Sequence, residues 1–189
     1  MILEISKTLE RKTGFLQSKF IDKKFNIQFL LHFCKKNITL EKHKHKHLQF
    51  GYNFYGEYEF IIENDLIYIE KNSNYLLNSY IPHEAYALSN YYSLDIKFYG
   101  NIFYKKIINS PFNNKISLKT NNAQINLLKI MKKSQIKKNT LIITSTETKI
   151  ILNNSIINIF PMKIYKINNN STLTLSNNFT GELLAINYE

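Results

Sequence analysis

Cysteine, arginine and glycine are all scarce in this chain of 189 residues. The single cysteine, Cys34, excludes an internal disulfide and fits a reducing compartment. Arg11 is the only arginine, although lysine brings the formal net charge to +11. Phosphate clamps and base readers rely on arginine forks. The lysines are scattered or in short pairs such as Lys23-Lys24 and Lys132-Lys133. Specific nucleic-acid binding is therefore not expected. Five glycines leave little room for a phosphate-cradling loop. No apolar run approaches the roughly 20 residues of a membrane helix, so no membrane partner is expected. The start, Met1 to Lys7, has no basic stretch followed by an apolar one. A signal peptide is not expected, and the expected location is cytoplasmic. G-x-S-x-G, H-E-x-x-H and C-x-x-C are all missing, as is a helix-turn-helix region.

Apolar residues are plentiful, at 44% with 14% aromatic, enough for a core. The length suits one domain or two small fused ones. Met1 to Asp22 reads as an irregular lead-in with a possible edge strand. From Asn26 onward, short runs of Ile, Phe, Tyr and Leu alternate with Asn, Gly, Asp and Ser, the signature of strands and turns. Expected strands include Phe25–Cys34, Ile38–His45, Gln49–Phe54, Tyr58–Ile62, Tyr75–Tyr80, Glu84–Leu88 and Ser93–Tyr99. A tight turn is expected at Tyr55-Gly56-Glu57. Gly100 to Asn122, with Pro111 and polar turns, reads as a boundary, and a strand or a helix follows around Gln124–Lys133.

The second half echoes the first. An offset of 89 lays Phe60-Ile61-Ile62 on Lys149-Ile150-Ile151 and Leu94–Tyr99 on Leu183–Tyr188. Ile27 to Leu31 lies on Ile125 to Lys129 at an offset of 98. At 89, His83 falls on Thr172, and the second half has no histidine. Two all-β units are expected, residues 1–100 and 101–189, with polar ligands in the first only.

Between two apolar runs stands His43-Lys44-His45-Lys46-His47-Leu48-Gln49. Histidines at i and i+2 of a strand share a face, so His43 and His45 can reach one ion. Gln49 lies across a turn from them, and His83 opens a later strand behind Pro82. Three imidazoles and a carboxamide oxygen form a mixed N/O set. It suits Fe, Mn, Ni, Co or Zn more than magnesium or calcium. Gly51 and Asn53 share strand parity with Gln49 and are expected to line the substrate pocket. His47 is expected at the turn, outside the ligand set. His32 reads as a satisfied edge histidine, Asp95 and Lys97 as a sheet-surface pair, and Cys34 as a buried thiol.

This pattern resembles the cupin superfamily, whose first motif is H-x-H, three or four residues, Glu or Gln, then Gly. The chain matches it with His43, His45, Gln49 and Gly56, and matches the second motif with Ile81-Pro82-His83. The glutamine is similar to that of cupins converting unsaturated uronates and of the bicupin isomerase of bacilysin synthesis. The latter also carries an Asp-Ile-Lys in its closing strand, like Asp95-Ile96-Lys97 here. The Gly-Asp that usually precedes the second motif is replaced by Asn72-Ser73-Asn74. The resemblance implies an all-β fold of two fused jelly-roll (double-stranded β-helix) units, the second degenerate. It implies His43, His45, Gln49 and His83 as ligands of a divalent transition metal. It also implies isomerase or lyase chemistry on a small keto acid or sugar acid, through Lewis-acid stabilisation of an enolate. A metabolite- or metal-binding module without turnover and an iron-dependent dioxygenase remain alternatives. A homodimer is a possible assembly.

Overall fold

A computed structural model describes residues 1–98, 110–111, 115–119, 123–176 and 178–189. All of its regular elements are strands, and every ladder described is antiparallel. They form two compact units, one of residues 8–112 and 120–122, the other of residues 1–7, 113–119 and 123–189.

The first unit packs a seven-stranded sheet on a four-stranded one. Across the large sheet run Ser110–Pro111, Ser73–Leu77, Leu48–Tyr55, Tyr91–Phe98, Ile27–Cys34, Phe15–Asp22 and Lys7–Lys12. Across the small sheet run Thr39–His43, His83–Ala87, Tyr58–Ile62 and Asp65–Ile69. Both sheets contribute to one core: Phe15, Cys34, Tyr75 and Leu77 meet Phe60, Ile62, Ile69 and Ala85. Burial of these large side chains supplies the main driving force. Gly56 turns the chain at φ +80°, as expected of the tight turn.

The second unit repeats this order. Ile2–Glu4, Tyr165–Ile167, Leu141–Thr144, Leu183–Tyr188, Gln124–Lys129 and Lys115–Lys119 form its larger sheet. Lys133–Ile136, Ser171–Leu175, Thr148–Leu152 and Ser155–Ile159 form the smaller. Gln124–Lys129 is thus a strand.

The ladders correct the register of the repeat. Ile62 faces His83 in the first unit, and Leu152 faces Leu173 in the second, a shift of 90 residues for both partners. The closing strands agree: Phe98 faces Ile27 and Tyr188 faces Ile125, shifts of 90 and 98. An offset of 89 would lay each core side chain on an outward one, because a one-residue slip reverses every side chain of a strand. The position of His83 is therefore taken by Leu173, fully buried, and not by Thr172.

The amino terminus is also corrected. It is not an irregular lead-in but three strands: Ile2–Glu4, Lys7–Lys12 and Phe15–Asp22. Residues 1–7 group with the second unit rather than with residues 8–112. Ile2, Leu3 and Glu4 pair with Ile167, Lys166 and Tyr165, closing an edge that would otherwise lie open. The end of the closing strand at Tyr99, the boundary at residue 100 and the turns at Asn113-Asn114 and Asn121-Asn122 lie outside the described residues.

Candidate metal centre and its cavity

The small sheet places His43 directly opposite His83. Their ring centroids are 4.3 Å apart, and the His45 ring is 5.0 Å from that of His83. The strand carrying His43 ends there, so His45 is not a strand residue as the i, i+2 spacing predicts. It reaches the cluster from the following loop, where its carbonyl accepts from Tyr80 N at 2.7 Å. His43 and His45 lie further apart, at 6.1 Å. Gln49 sits at the head of Leu48–Tyr55, buried, with Oε1 2.7 Å from His45 Nε2. His83 thus neighbours both other rings, and His45 joins it to Gln49. His43 is exposed and stands at the rim. Among the described residues no three His, Cys, Asp or Glu side chains are grouped closely enough, as they stand, to hold a metal ion by themselves. The fourth donor of this cluster is a carboxamide.

Each imidazole is oriented by its own backbone. Nδ1 of His43 donates to the Glu41 carbonyl at 2.8 Å, Nδ1 of His45 to His47 at 3.0 Å, and Nδ1 of His83 to Ile81 at 2.8 Å. A carbonyl can only accept, so these bonds fix the proton on Nδ1 and leave each Nε2 with its lone pair. That is the form in which histidine binds metal. Burial lowers the pKa of His45, with the Lys97 charge adding to it, and pushes that of His83 down to about 4. His45 Nε2 and Gln49 Oε1 are then two acceptors aimed at each other, an arrangement that a shared cation resolves. The donors fit a borderline transition metal by this test. His47 lies at the turn as expected, and its Nε2 is 3.3 Å from Gln28 Nε2. Its pKa falls to about 4, chiefly through burial.

Beside the cluster the first unit has an open-mouthed cavity of about 400 Å³. His43, Gln49 and His83 line it. Asp95 and Lys97 line it too, so they are not a sheet-surface pair. The closing strand projects Ser93, Asp95 and Lys97 inward, with Lys97 directly opposite Gln49. Burial lowers the Lys97 pKa, opposed by the Asp95 charge. His32 also faces the cavity and is buried rather than at an edge.

Neither expected pocket residue lines the cavity. Asn53 is fully buried and spends its Nδ2 on the Gly56 carbonyl at 2.8 Å. Its parity with Gln49 was right, but the turn captures its side chain. Gly51 does not leave the floor open. The Tyr75 ring occupies the space above it, and a Cβ at Gly51 would come 2.0 Å from two of its ring atoms.

The polar groups of the cavity are linked. Gln49 Nε2 donates to Tyr75 Oη, and Tyr75 Oη donates to Asp95 Oδ1, each at 2.8 Å. Asp95 Oδ2 lies 3.4 Å from His32 Nδ1. Gln17 Nε2 donates to His32 Nε2 at 3.0 Å, while Gln17 Oε1 accepts from Arg11 at 2.7 and 2.9 Å. Sequence reasoning missed Tyr75, His32 and Gln17. A period-2 reading of the closing strand, which sets Asp95 and Lys97 on one face, was the available signal.

No family model and no curated protein sequence matches the chain. Solved structures do. AerE from Microcystis aeruginosa aligns over 98% of this chain and 96% of its own, at 15% identity and a TM-score of 0.66. A cupin 2 conserved barrel domain protein from Leptotrichia buccalis aligns over 99% and 98%, at 12% identity and a TM-score of 0.62. The bacterial pirin YhhW from Escherichia coli, in complex with nickel(II), aligns over 98% of both chains at 9% identity and a TM-score of 0.71. Likeness at such low identity carries the fold alone: this chain is built on the cupin fold.

Proposed function

We propose that the first unit holds a divalent transition metal (Fe, Mn, Ni, Co or Zn) through His43, His45, Gln49 and His83. We propose further that it acts on a small oxygen-rich acid in the adjoining cavity. The observation that carries this reading is the set of three Nδ1-anchored imidazoles with neighbouring rings, one of which, His45, sets its Nε2 2.7 Å from the Gln49 carbonyl oxygen. A nickel-bound structure among those of the same fold adds support. The second unit is read as a degenerate copy. Leu173 stands where His83 would be, and Ala185, opposite Ile142, stands where Asp95 would be, opposite Gly51.

When bound, the ion would supply Lewis acidity to a substrate oxygen. The chain's own residues do the rest. Lys97 projects its ammonium into the cavity beside Gln49 and is placed to take the carboxylate of a keto acid or sugar acid. Phe15, Phe60 and Ala85 supply apolar lining to the same cavity. His32 keeps a proton on Nδ1, facing Asp95, and this pair is the interior group suited to exchanging a proton with substrate. Isomerisation or elimination through an enolate is the chemistry such a set serves.

One observation favours a binding module without turnover. His32, Asp95 and Tyr75 all have their polar atoms engaged with one another or with Gln17 and Gln49. Two measurements separate the readings. Elemental analysis of the purified chain should find metal that His45→Ala abolishes; a wild type without stoichiometric metal ends the metal reading. Keto acids and uronates are then screened for turnover and oxygen uptake. Metal without turnover supports the binding module, and oxygen uptake supports an iron-dependent dioxygenase.

A further inference from the structure

We infer that Tyr75 and Asp95 are positioning residues that dictate which atom Gln49 offers to a metal. The inference rests on the metal reading above and concerns a weakness specific to glutamine. A carboxamide has one end that ligates and one end that cannot, and the two are nearly the same size. A glutamine ligand therefore works only if something decides its rotation.

The decision is made two residues away from the metal site. The Asp95 carboxylate has acceptors only, and its Oδ1 lies 2.8 Å from Tyr75 Oη. The single hydroxyl hydrogen of Tyr75 must therefore go to Asp95. The Tyr75 oxygen is left as an acceptor, and the group of Gln49 that meets it at 2.8 Å has to be the NH2. Oε1 is thereby turned toward His45, at 2.7 Å from Nε2. Asp95 is itself held from the other side. Arg11 occupies Gln17 Oε1, so the Gln17 NH2 faces His32 Nε2, which sends the His32 Nδ1 proton toward Asp95 Oδ2. Donation thus converges on Asp95, from Arg11 through Gln17 and His32 on one side and from Gln49 through Tyr75 on the other.

Gly51 belongs to the same device. The Tyr75 ring can reach between Gln49 and Asp95 only because Gly51, paired directly with both Tyr75 and Asp95, has no side chain. Without the Tyr75 hydroxyl, Gln49 gains most by reversing. Its NH2 then donates to the lone pair of His45 Nε2, and a donor stands where the cation would be.

The test is metal affinity, read by titrating Mn(II) into metal-free full-length protein and following the free-ion EPR signal. Wild type binds one equivalent. Tyr75→Phe and Asp95→Asn each weaken binding by about tenfold or more, in the range of lost ligand-orienting contacts. Gln49→Glu restores binding in the Tyr75→Phe background, because a carboxylate offers oxygen whichever way it turns. Equal losses from Tyr75→Phe in the wild-type and Gln49→Glu backgrounds would show that Tyr75 acts by packing, and would overturn the inference. So would wild-type affinity in Tyr75→Phe. A wild type that binds no Mn(II), Ni(II) or Co(II) removes the metal reading itself, and the inference with it; that result is read in the first arm, before any variant is compared.

Discussion

One carbon at Gly51 would land 2.0 Å from the Tyr75 ring, closer than packed atoms come. The ring is held in the core on its other side by Phe60, 5.0 Å away centre to centre. Gly51→Ala should therefore destabilise the first unit by about 1–3 kcal/mol, the usual range for overpacking, and weaken metal binding with it. Urea unfolding and metal titration on the same sample check both. His32 yields a pH prediction. Burial lowers its pKa below the usual 6.5, outweighing the nearby Asp95 charge. The unfolded chain then takes up a proton before the folded one does. Its contribution is complete above about pH 6.5 and is lost as the pH falls below that value. Urea midpoints should drop between pH 7 and pH 5, and His32→Gln should flatten that slope. An unchanged slope would mean that His32 is already solvated in the fold. The histidine cluster was legible at this scale because histidine is rare here and four of the five lie within two short motifs. Tyr75 and Asp95 were not. Nothing local marks one tyrosine among thirteen as the one facing a glycine. Strand pairing decides it.

At the scale of elements, existence was easy to read and register was not. Alternating apolar runs announced the strands, and the structure shows two matching hairpins, closed by Ile62 with Asp65 and Leu152 with Ser155. The repeat was visible, but low sequence complexity blurred it by one residue, enough to exchange Leu173 for Thr172 as the counterpart of His83. The correct partner makes a prediction. Leu173 lies in an apolar cluster with Ile150, Leu152 and Leu175. Leu173→His should bury an unsatisfied imidazole, lower stability by about 1–3 kcal/mol, and create no second metal site. Thermal unfolding and elemental analysis read the two outcomes. The lead-in was misread because Ile2-Leu3-Glu4 is too short to show a period. Its partner strand, not its own pattern, makes it β. Removing residues 1–6 takes away the Ile2–Glu4 ladder, the Ile5 N to Ile164 O bond at 2.9 Å and the Glu4–Lys163 ion pair at 2.7 Å. Limited proteolysis should then cut the second unit sooner, while metal affinity in the first is unchanged. Equal protection with and without the segment would refute this.

For the whole molecule, the expected stoichiometry is one metal per chain. Two units of one strand order differ in what fills them: a mixed N/O donor set and linked polar groups in the first, an aliphatic core in the second. The second also has a hollow of about 430 Å³, lined by Asn126, Gln135, Thr140 and Asn187 and without an imidazole or a thiol. Elemental analysis of wild type and of His83→Ala should read one and none. A residual equivalent in the variant would place a site outside the first unit.

The order of synthesis meets an obstacle in the strand Ile2–Glu4. A ribosome releases the chain from its amino end at roughly 5–20 residues per second. Ile2 emerges long before its partner Ile167. Meanwhile residues 8–98 already contain most of the strands of a complete unit. The strand Ile2–Glu4 must therefore wait, unpaired, through the folding of one unit before it can finish the other. Slower translation of the residues between the two strands would lengthen that wait and should be felt in the second unit.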